Sequence, residues 1–390
     1  MNKSTSRLCP VCGSGERRLI YRQRFWDGPM GDGYDVVVCT DCGAGYADKI
    51  PSQAEMDRYY AEQSKYTNDQ SDGTESPWDL KRFEATAGQI IPHLKKHDTR
   101  ILDIGCATGG LLSVLKKRGF ANLLGVDPSP VCAALAGRLH DVEVKVATLA
   151  QLSNWKERFD LIMMVGVLEH LHNVKEAISI LSGLLNPGGI LYCAVPDVEG
   201  LAACPNAPYQ QFSIEHVNFF SSTSLRRVMA ECCMTEIQRW KWVVEWREDV
   251  NEPILSALYK YSGNRAERIF DVITGPALDR YLASSSAGDR TILMKIASLV
   301  SKKESILVWG AGTLTRRLLA STRFSEANIV AFVDSNTCYQ GRTLAGRPIL
   351  SPRQIMDRNE PILVCSVSFS KEIILSIRNQ YRILNRIITL

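Results

Sequence analysis

The stretch Ile101-Leu102-Asp103-Ile104-Gly105-Cys106-Ala107-Thr108-Gly109-Gly110, with Leu123-Leu124-Gly125-Val126-Asp127 after it, restricts the fold more than any other part of the chain. An apolar run enters a glycine turn, Leu111, Leu112, Val114 and Leu115 repeat with the period of a helix, and a second apolar run ends in an acid. This pattern predicts a βαβ unit of an α/β protein with a nucleotide-type ligand at its turn. The glycines let the backbone approach that ligand closely. Asp127, 22 residues after Gly105, can accept hydrogen bonds from both hydroxyls of a ribose.

Asp103-x-Gly105-x-Ala107-x-Gly109 departs from the dinucleotide fingerprint and resembles motif I of the class I S-adenosylmethionine-dependent methyltransferases. The resemblance implies that Asp103 faces the cationic methionine end and that no pyrophosphate needs the helix N-terminus. It extends the expected cofactor contacts from Gly105, Ala107, Gly109 and Asp127 to Cys106, Pro128, Val165 and Glu169. A Rossmann crossover with an empty turn is the alternative. Further along, residues 131 to 139 read as a helix and 142 to 146 as a short strand. The apolar run from Phe159 to Val167 then reads as a strand buried on both faces. Leu185-Asn186-Pro187-Gly188-Gly189 reads as a helix stop and turn before another buried strand. The likeness to the methyltransferases spans roughly residues 80 to 240.

With 390 residues and 45% hydrophobic content, the chain can bury two or three cores. Its formal charge of +4 comes from 46 basic and 42 acidic side chains without a long run of either sign, so neither nucleic acid nor an anionic membrane is an expected partner. No stretch of about 18 apolar residues occurs, and residues 1 to 7 lack a signal-peptide core. A soluble, cytoplasmic protein is expected.

Among twelve cysteines, four share a spacing: Cys9-Pro10-Val11-Cys12 and Cys39-Thr40-Asp41-Cys42, separated by 26 residues that alternate like a hairpin. Two such knuckles complete the tetrahedron that zinc prefers, and four sulfurs leave no open position, so the metal is expected to be structural. A redox pair would need a thioredoxin-like context that is absent.

Residues 67 to 74 read as a polar loop. It either lids the cofactor, with Tyr59, Tyr60 and Trp78 over the ligand, or leaves those aromatics as core. An amphipathic helix follows over residues 83 to 94. Glu215 and His216 stand side by side beyond a sheet edge, before a helix with Ser222 or Thr223 as N-cap. A neutral His216 can take a proton near pH 7 with Glu215 tuning it, although the same turn can serve as a loop anchor. Residues 240 to 300 read as helical. Ile306 to Asp334 then repeats strand, glycine turn (Gly310, Gly312), helix, strand and acid, with Thr315 in place of the third glycine of a dinucleotide site.

A four-cysteine ribbon, a methyltransferase core and a second glycine-turn unit, in that order, resemble the sugar C-methyltransferases that act on nucleotide-linked ketosugars in deoxysugar biosynthesis. The fold implied is α/β, with a class I methyltransferase Rossmann-like core at residues 51–245. An N-terminal zinc ribbon at 1–50, a helical connector at 246–300 and a second, C-terminal Rossmann-like domain at 301–390 complete it. The resemblance implies S-adenosyl-L-methionine as cofactor, structural zinc on Cys9, Cys12, Cys39 and Cys42, and a nucleotide sugar against Gly310, Gly312 and Asp334. It also implies a Tyr-x-Glu-His motif, matched here by Glu215 and His216, with His170 donating to an enolate oxygen. Ser213 stands at the tyrosine position, and the C-terminal turn reads Gly310-Ala311-Gly312-Thr313-Leu314-Thr315 where that family usually has a lysine-glycine step. Three readings stay open: carbon methylation with His216 as base, methylation of a hydroxyl oxygen, and a nucleotide-sugar binding module on a silent methyltransferase fold. The expected partner is a small molecule, bound by a monomer or homodimer.

Overall fold

The computed structural model describes residues 6–28, 31–63, 75–94, 96–204, 206–264 and 269–390, so the polar loop expected at 67 to 74 lies outside the described residues. Three strands open the chain: β1 Arg17–Arg24, β2 Gly33–Cys39 and β3 Gly45–Asp48. The first two form the antiparallel hairpin expected between the knuckles. Both knuckles close alike, with Gly13 (φ +81°) and Gly43 (φ +80°) donating their N–H groups to the carbonyls of Cys9 and Cys39 at 2.9 Å. Only glycine takes that left-handed backbone without strain.

Helices α1 Gln53–Gln63 and α2 Pro77–Ile90 follow. The second starts at a reciprocal cap between Ser76 and Asp79 with proline in its first turn, which satisfies otherwise orphaned amides. Next come β4 Ile101–Ile104, α3 Gly110–Lys117, β5 Leu123–Asp127, α4 Pro130–His140, β6 Val144–Val146, β7 Phe159–Val165, α5 Val174–Gly183 and β8 Leu185–Pro196. A short β9 Asn218–Phe219 leads into α6 Ser222–Glu231, and then β10 Met234–Arg247 and β11 Val250–Tyr261 form a long hairpin. Seven of these strands make one sheet in the order β10-β11-β8-β7-β4-β5-β6. It is parallel from β8 to β6 and antiparallel at the β10–β11–β8 end.

Two expectations are corrected here. The stretch read as a helical connector from 246 begins as strand: Trp240, Trp242, Val244 and Trp246 alternate with Lys241, Val243, Glu245 and Arg247. That period-two face packs with Ala87 and Ile90 of α2. The cap of α6 is Ser221, whose side chain accepts from the Ser224 N–H, and neither Ser222 nor Thr223. The boundary at residue 50 is also no physical break. Gly45 and Tyr46 of β3 pair with Phe219 and Asn218 of β9, and the four cysteines share a core with Leu168, Leu181 and Phe220.

Within the stretch 246–300, α-helix begins only at α7 Thr274–Lys302, a helix of 29 residues. Beyond it lie β12 Ile306–Trp309, α8 Thr313–Ser321, β13 Ile329–Val333, β14 Thr343–Leu344, β15 Arg347–Leu350, β16 Ile362–Val364, α9 Ser370–Leu375 and β17 Ile387–Thr389. Their sheet runs β14-β15-β13-β12-β16-β17 and is parallel except at the β14–β15 pair. No helix among the described residues is long and apolar enough to cross a membrane.

Candidate active site

The first glycine turn lies where β4 gives way to α3, at the carboxyl edge of the parallel strands, where open α/β sheets take their ligands. Asp127, at the end of β5, accepts the Ala107 N–H through Oδ2 and the Ser129 N–H through Oδ1, each at 2.9 Å. The acid therefore closes the turn on itself and holds Ala107 in the left-handed region (φ +49°). Each oxygen keeps further lone pairs for hydroxyl donors. Asp103 is buried and has no hydrogen-bond partner among the described residues. Burial, and then the charge of Asp127, pushes its carboxyl up to about 8. A buried acid waiting beside a glycine turn fits a cationic ligand group. Cys106 is a buried thiol raised by desolvation, Pro128 begins the turn after β5, and Val165 ends β7 half-buried.

The second group of candidates converges beyond the end of β7. Glu169, His170 and His216 each bring a donor atom within 4.8 Å of the others. Glu169 is buried, its carboxyl pushed up to about 8 by desolvation, with Oε1 3.8 Å from His170 Nε2 and Oε2 without a hydrogen-bond partner. His170 Nδ1 lies 3.1 Å from the Glu215 carbonyl and 3.1 Å from the Tyr60 hydroxyl. A carbonyl only accepts, so that nitrogen carries the proton of the neutral ring. The rings of His170 and His216 meet edge to face at 5.0 Å.

His216 is oriented by a chain of polar side chains that sequence reasoning missed. Its Nδ1 lies 3.0 Å from Gln211 Oε1, while Gln211 Nε2 donates to Glu252 Oε1 at 2.5 Å. Because Glu252 takes the amide N–H, Gln211 must turn its carbonyl oxygen to the histidine, and His216 therefore donates from Nδ1. In the neutral ring Nε2 then holds the lone pair. Trp246 completes the chain by donating its indole N–H to Glu252. Glu252 belongs to a strand 36 residues further along, so no local signal could have found it.

Ser213, at the position where a phenol was expected, accepts the N–H groups of Glu215 and His216 at 3.2 and 3.1 Å and fixes their turn. Two phenols come instead from α1: Tyr59 donates to Glu215 Oε1 at 2.8 Å, and Tyr60 sits on His170. The N-terminal sheet buttresses the same loop, since Gln23 donates to the Phe212 carbonyl at 2.5 Å and Tyr34 to the Ser213 carbonyl at 2.7 Å.

At the second glycine turn Asp334 repeats the lock made by Asp127, accepting the Ala311 N–H at 2.7 Å and the Asn336 N–H at 2.8 Å. Gly310 has φ +106°, whereas Gly312, at φ −85°, is conformationally ordinary and caps α8. The four cysteines also converge, with sulfur separations of 3.6 Å (Cys9 to Cys42) and 3.5 Å (Cys12 to Cys39). A tetrahedral thiolate site with metal–sulfur bonds of about 2.3 Å sets its sulfurs about 3.8 Å apart, so the donor set fits such an ion.

Residues 53–232 match the family described as a methyltransferase domain. The chain carries a methyltransferase domain. Residues 302–388 match a second family, described as C2185-like, N-terminal. A ubiquinone biosynthesis O-methyltransferase of Agrobacterium fabrum is 34% identical over 107 residues, which is 26% of this chain and 42% of that protein. The enzyme of the same description from Azorhizobium caulinodans is 37% identical over 97 residues, 24% of this chain and 38% of that one. The chain thus spans roughly two fifths of these curated relatives. Among solved structures, the N-methyltransferase NodS from Bradyrhizobium japonicum WM9 in complex with S-adenosyl-L-homocysteine is 19% identical with a TM-score of 0.39, covering 54% of this chain and 97% of that one. The methyltransferase domain holds both clusters described above, the turn at Asp103 and Asp127 and the group around His170 and His216.

Proposed function

We propose that the chain is an S-adenosylmethionine-dependent methyltransferase that methylates carbon in a nucleotide-linked ketosugar. The observation that carries this reading is the orientation of His216. An imidazole whose Nδ1–H is committed to Gln211 offers Nε2 as a base, beside the Tyr60 phenol and a second imidazole that can face a developing oxyanion. S-Adenosylmethionine supplies an electrophilic methyl group on a sulfonium. Asp103 and Asp127 bind and orient it at the first turn. His216 Nε2 takes the proton from the carbon beside the substrate ketone, and the carbon's electron pair is then free to form the new bond. Tyr60 and His170 stabilise the charge left on the ketone oxygen, His170 as a donor from Nε2 once protonated. Zinc on Cys9, Cys12, Cys39 and Cys42 holds the sheet that supports the His216 loop. Gly310, Gly312 and Asp334 receive the nucleotide end.

A second reading, transfer to a hydroxyl oxygen, is favoured by the O-methyltransferase activity for which the curated relatives are named. His216 would then take a hydroxyl proton, and no ketone is needed. Incubation with a panel of nucleotide-linked ketosugars and carbon NMR of the product separates the two. A new C–CH₃ signal is expected, a methoxy signal would install the second reading, and no methylated sugar at all would remove the nucleotide-sugar reading.

The Asp103 carboxyl makes a pH prediction. Below about 8 it is neutral in the empty site, and a cationic ligand must first ionise it. Affinity for S-adenosylmethionine should therefore rise as pH increases from 6 to 7.5, by up to about tenfold per unit. The unliganded fold should respond oppositely. A carboxyl raised from its unfolded value near 3.9 contributes stability at low pH that is lost as pH climbs through about 8. Calorimetric titration across this range checks the first trend, and Asp103→Asn should flatten it. A flat profile in the parent protein would show that Asp103 does not face the cation.

A further inference from the structure

The two glycine turns are built alike, each locked by an acid, but differ in the charged side chain that stands beside that lock. Two residues before Gly105 stands the buried acid Asp103; two before Gly310 stands the buried, apolar Val308. Six residues after Gly105 stands Leu111, packed in the core; six after Gly310 stands Arg316. Arg316 is only 5% exposed. Its Nε donates to the Ala311 carbonyl at 2.9 Å, inside the turn, and its Nη1 to the carbonyls of Trp26, at 3.2 Å, and Asp27. Tyr339 covers the guanidinium at 5.5 Å. No carboxylate among the described residues forms an ion pair with it, and Nη2 donates to none of them. Its neighbour Arg317 is the contrast, fully matched by both oxygens of Asp289 at 2.9 and 2.6 Å.

Burial pulls the guanidinium below its ordinary range, against the opposing charges of Asp27 and Asp334, which act on it without forming an ion pair; an anion in direct contact would offset that cost further. The same turn offers more. Among the described residues no side chain caps α8 at Gly312, so its first-turn amides have no side-chain acceptor there, and a Cβ added at Gly312 would meet none of their atoms within 4 Å. Uncapped amides, open space above them and a guanidinium with no carboxylate in contact are the three parts of an oxyanion site.

We propose that the mouth of α8 binds the diphosphate group of the substrate, with Arg316 as the residue that selects for it. This deepens the nucleotide-linked reading of the substrate and rests on it for the identity of the ligand. It also gives the Trp26–Asp27 turn of the N-terminal sheet a part in binding, because its carbonyls aim the guanidinium.

The test is calorimetric titration of the full chain with inorganic pyrophosphate at fixed ionic strength, for the parent, Arg316→Gln and Gly312→Asp. Gly312→Asp enters open space and leaves the arginine bonds intact, while its own carboxylate caps the amides and occupies the site. The parent should bind pyrophosphate, and each variant should lose at least tenfold in affinity with that for S-adenosylmethionine unchanged. If Arg316→Gln fails to fold, Gly312→Asp decides alone. No binding by the parent, or equal binding by the folded variants, would overturn the proposal and leave Arg316 a staple for the Trp26–Asp27 turn. Loss of pyrophosphate binding in the variants, with no nucleotide sugar methylated by the parent, would sink the substrate reading and keep the anion site. Methylation of a nucleotide sugar with pyrophosphate binding indifferent to both substitutions would do the reverse.

Discussion

His216→Ala is expected to lower turnover by about 10²-fold or more, with the affinities for cofactor and substrate held within a few-fold. The imidazole touches neither the first glycine turn nor the second, so its loss should act on the chemical step. Gln211→Leu should produce a smaller loss, on the order of tenfold, because the ring survives but the acceptor that fixes its tautomer is gone. Gln211→Glu, which keeps an oxygen toward Nδ1, should recover part of the rate and shift the pH profile upward, since a carboxylate favours the imidazolium. Steady-state rates as a function of pH check both. A His216→Ala protein as fast as the parent would remove the histidine from the mechanism, and a Gln211→Leu protein altered only in Michaelis constant would make Gln211 a substrate contact.

Stripping metal from the four cysteines, or replacing Cys39 by serine, should abolish turnover along with the N-terminal fold. Structural zinc contributes roughly 10–16 kcal/mol in small zinc-binding peptides, as much as the roughly 5–15 kcal/mol net stability of a typical domain. The damage should not stay local. The ribbon sheet continues through β3 into β9, two residues from His216, and Gln23 and Tyr34 hold the carbonyls of the loop between. Metal analysis should find one zinc per chain, and chelation should lower the unfolding temperature and the rate together, with zinc restoring both. Protein purified without chelator that holds no zinc, or chelated protein with an unchanged rate, would refute this.

The features legible in sequence are those in which one short stretch carries both pattern and chemistry. The turn at Asp103 to Gly110 and the cysteine knuckles lie where their spacing put them, because a strand, a turn and a helix are each decided within a few residues. The β10–β11 hairpin is hard to read because its tryptophans suggest helix as readily as strand until their alternation with Lys241, Glu245 and Arg247 is weighed. The partners of His216 were illegible for another reason: Gln211 and Glu252 are joined only when β11 pairs with β8, and pairing across a sheet leaves no trace in local composition. Ser213 stands where the resemblance implies a phenol. In the fold the phenol is relocated, with Tyr59 and Tyr60 arriving from α1.

Helix α7 has a mechanical consequence. At about 1.5 Å per residue its 29 residues span about 43 Å without interruption. One end packs Ala277, Leu278 and Tyr281 against Phe212 and the N-terminal sheet, and the Tyr281 hydroxyl accepts the Gln211 N–H at 2.9 Å. The other end sinks Ile292, Ile296 and Leu299 into the second sheet, where Asp289 also grips Arg317. A single strut thus joins the loop that carries His216 to the unit that carries Arg316. Their spacing is set by the length of one helix before any ligand arrives, so a molecule reaching both is measured against a fixed gauge. Binding then need not supply the whole entropy of docking two independent bodies.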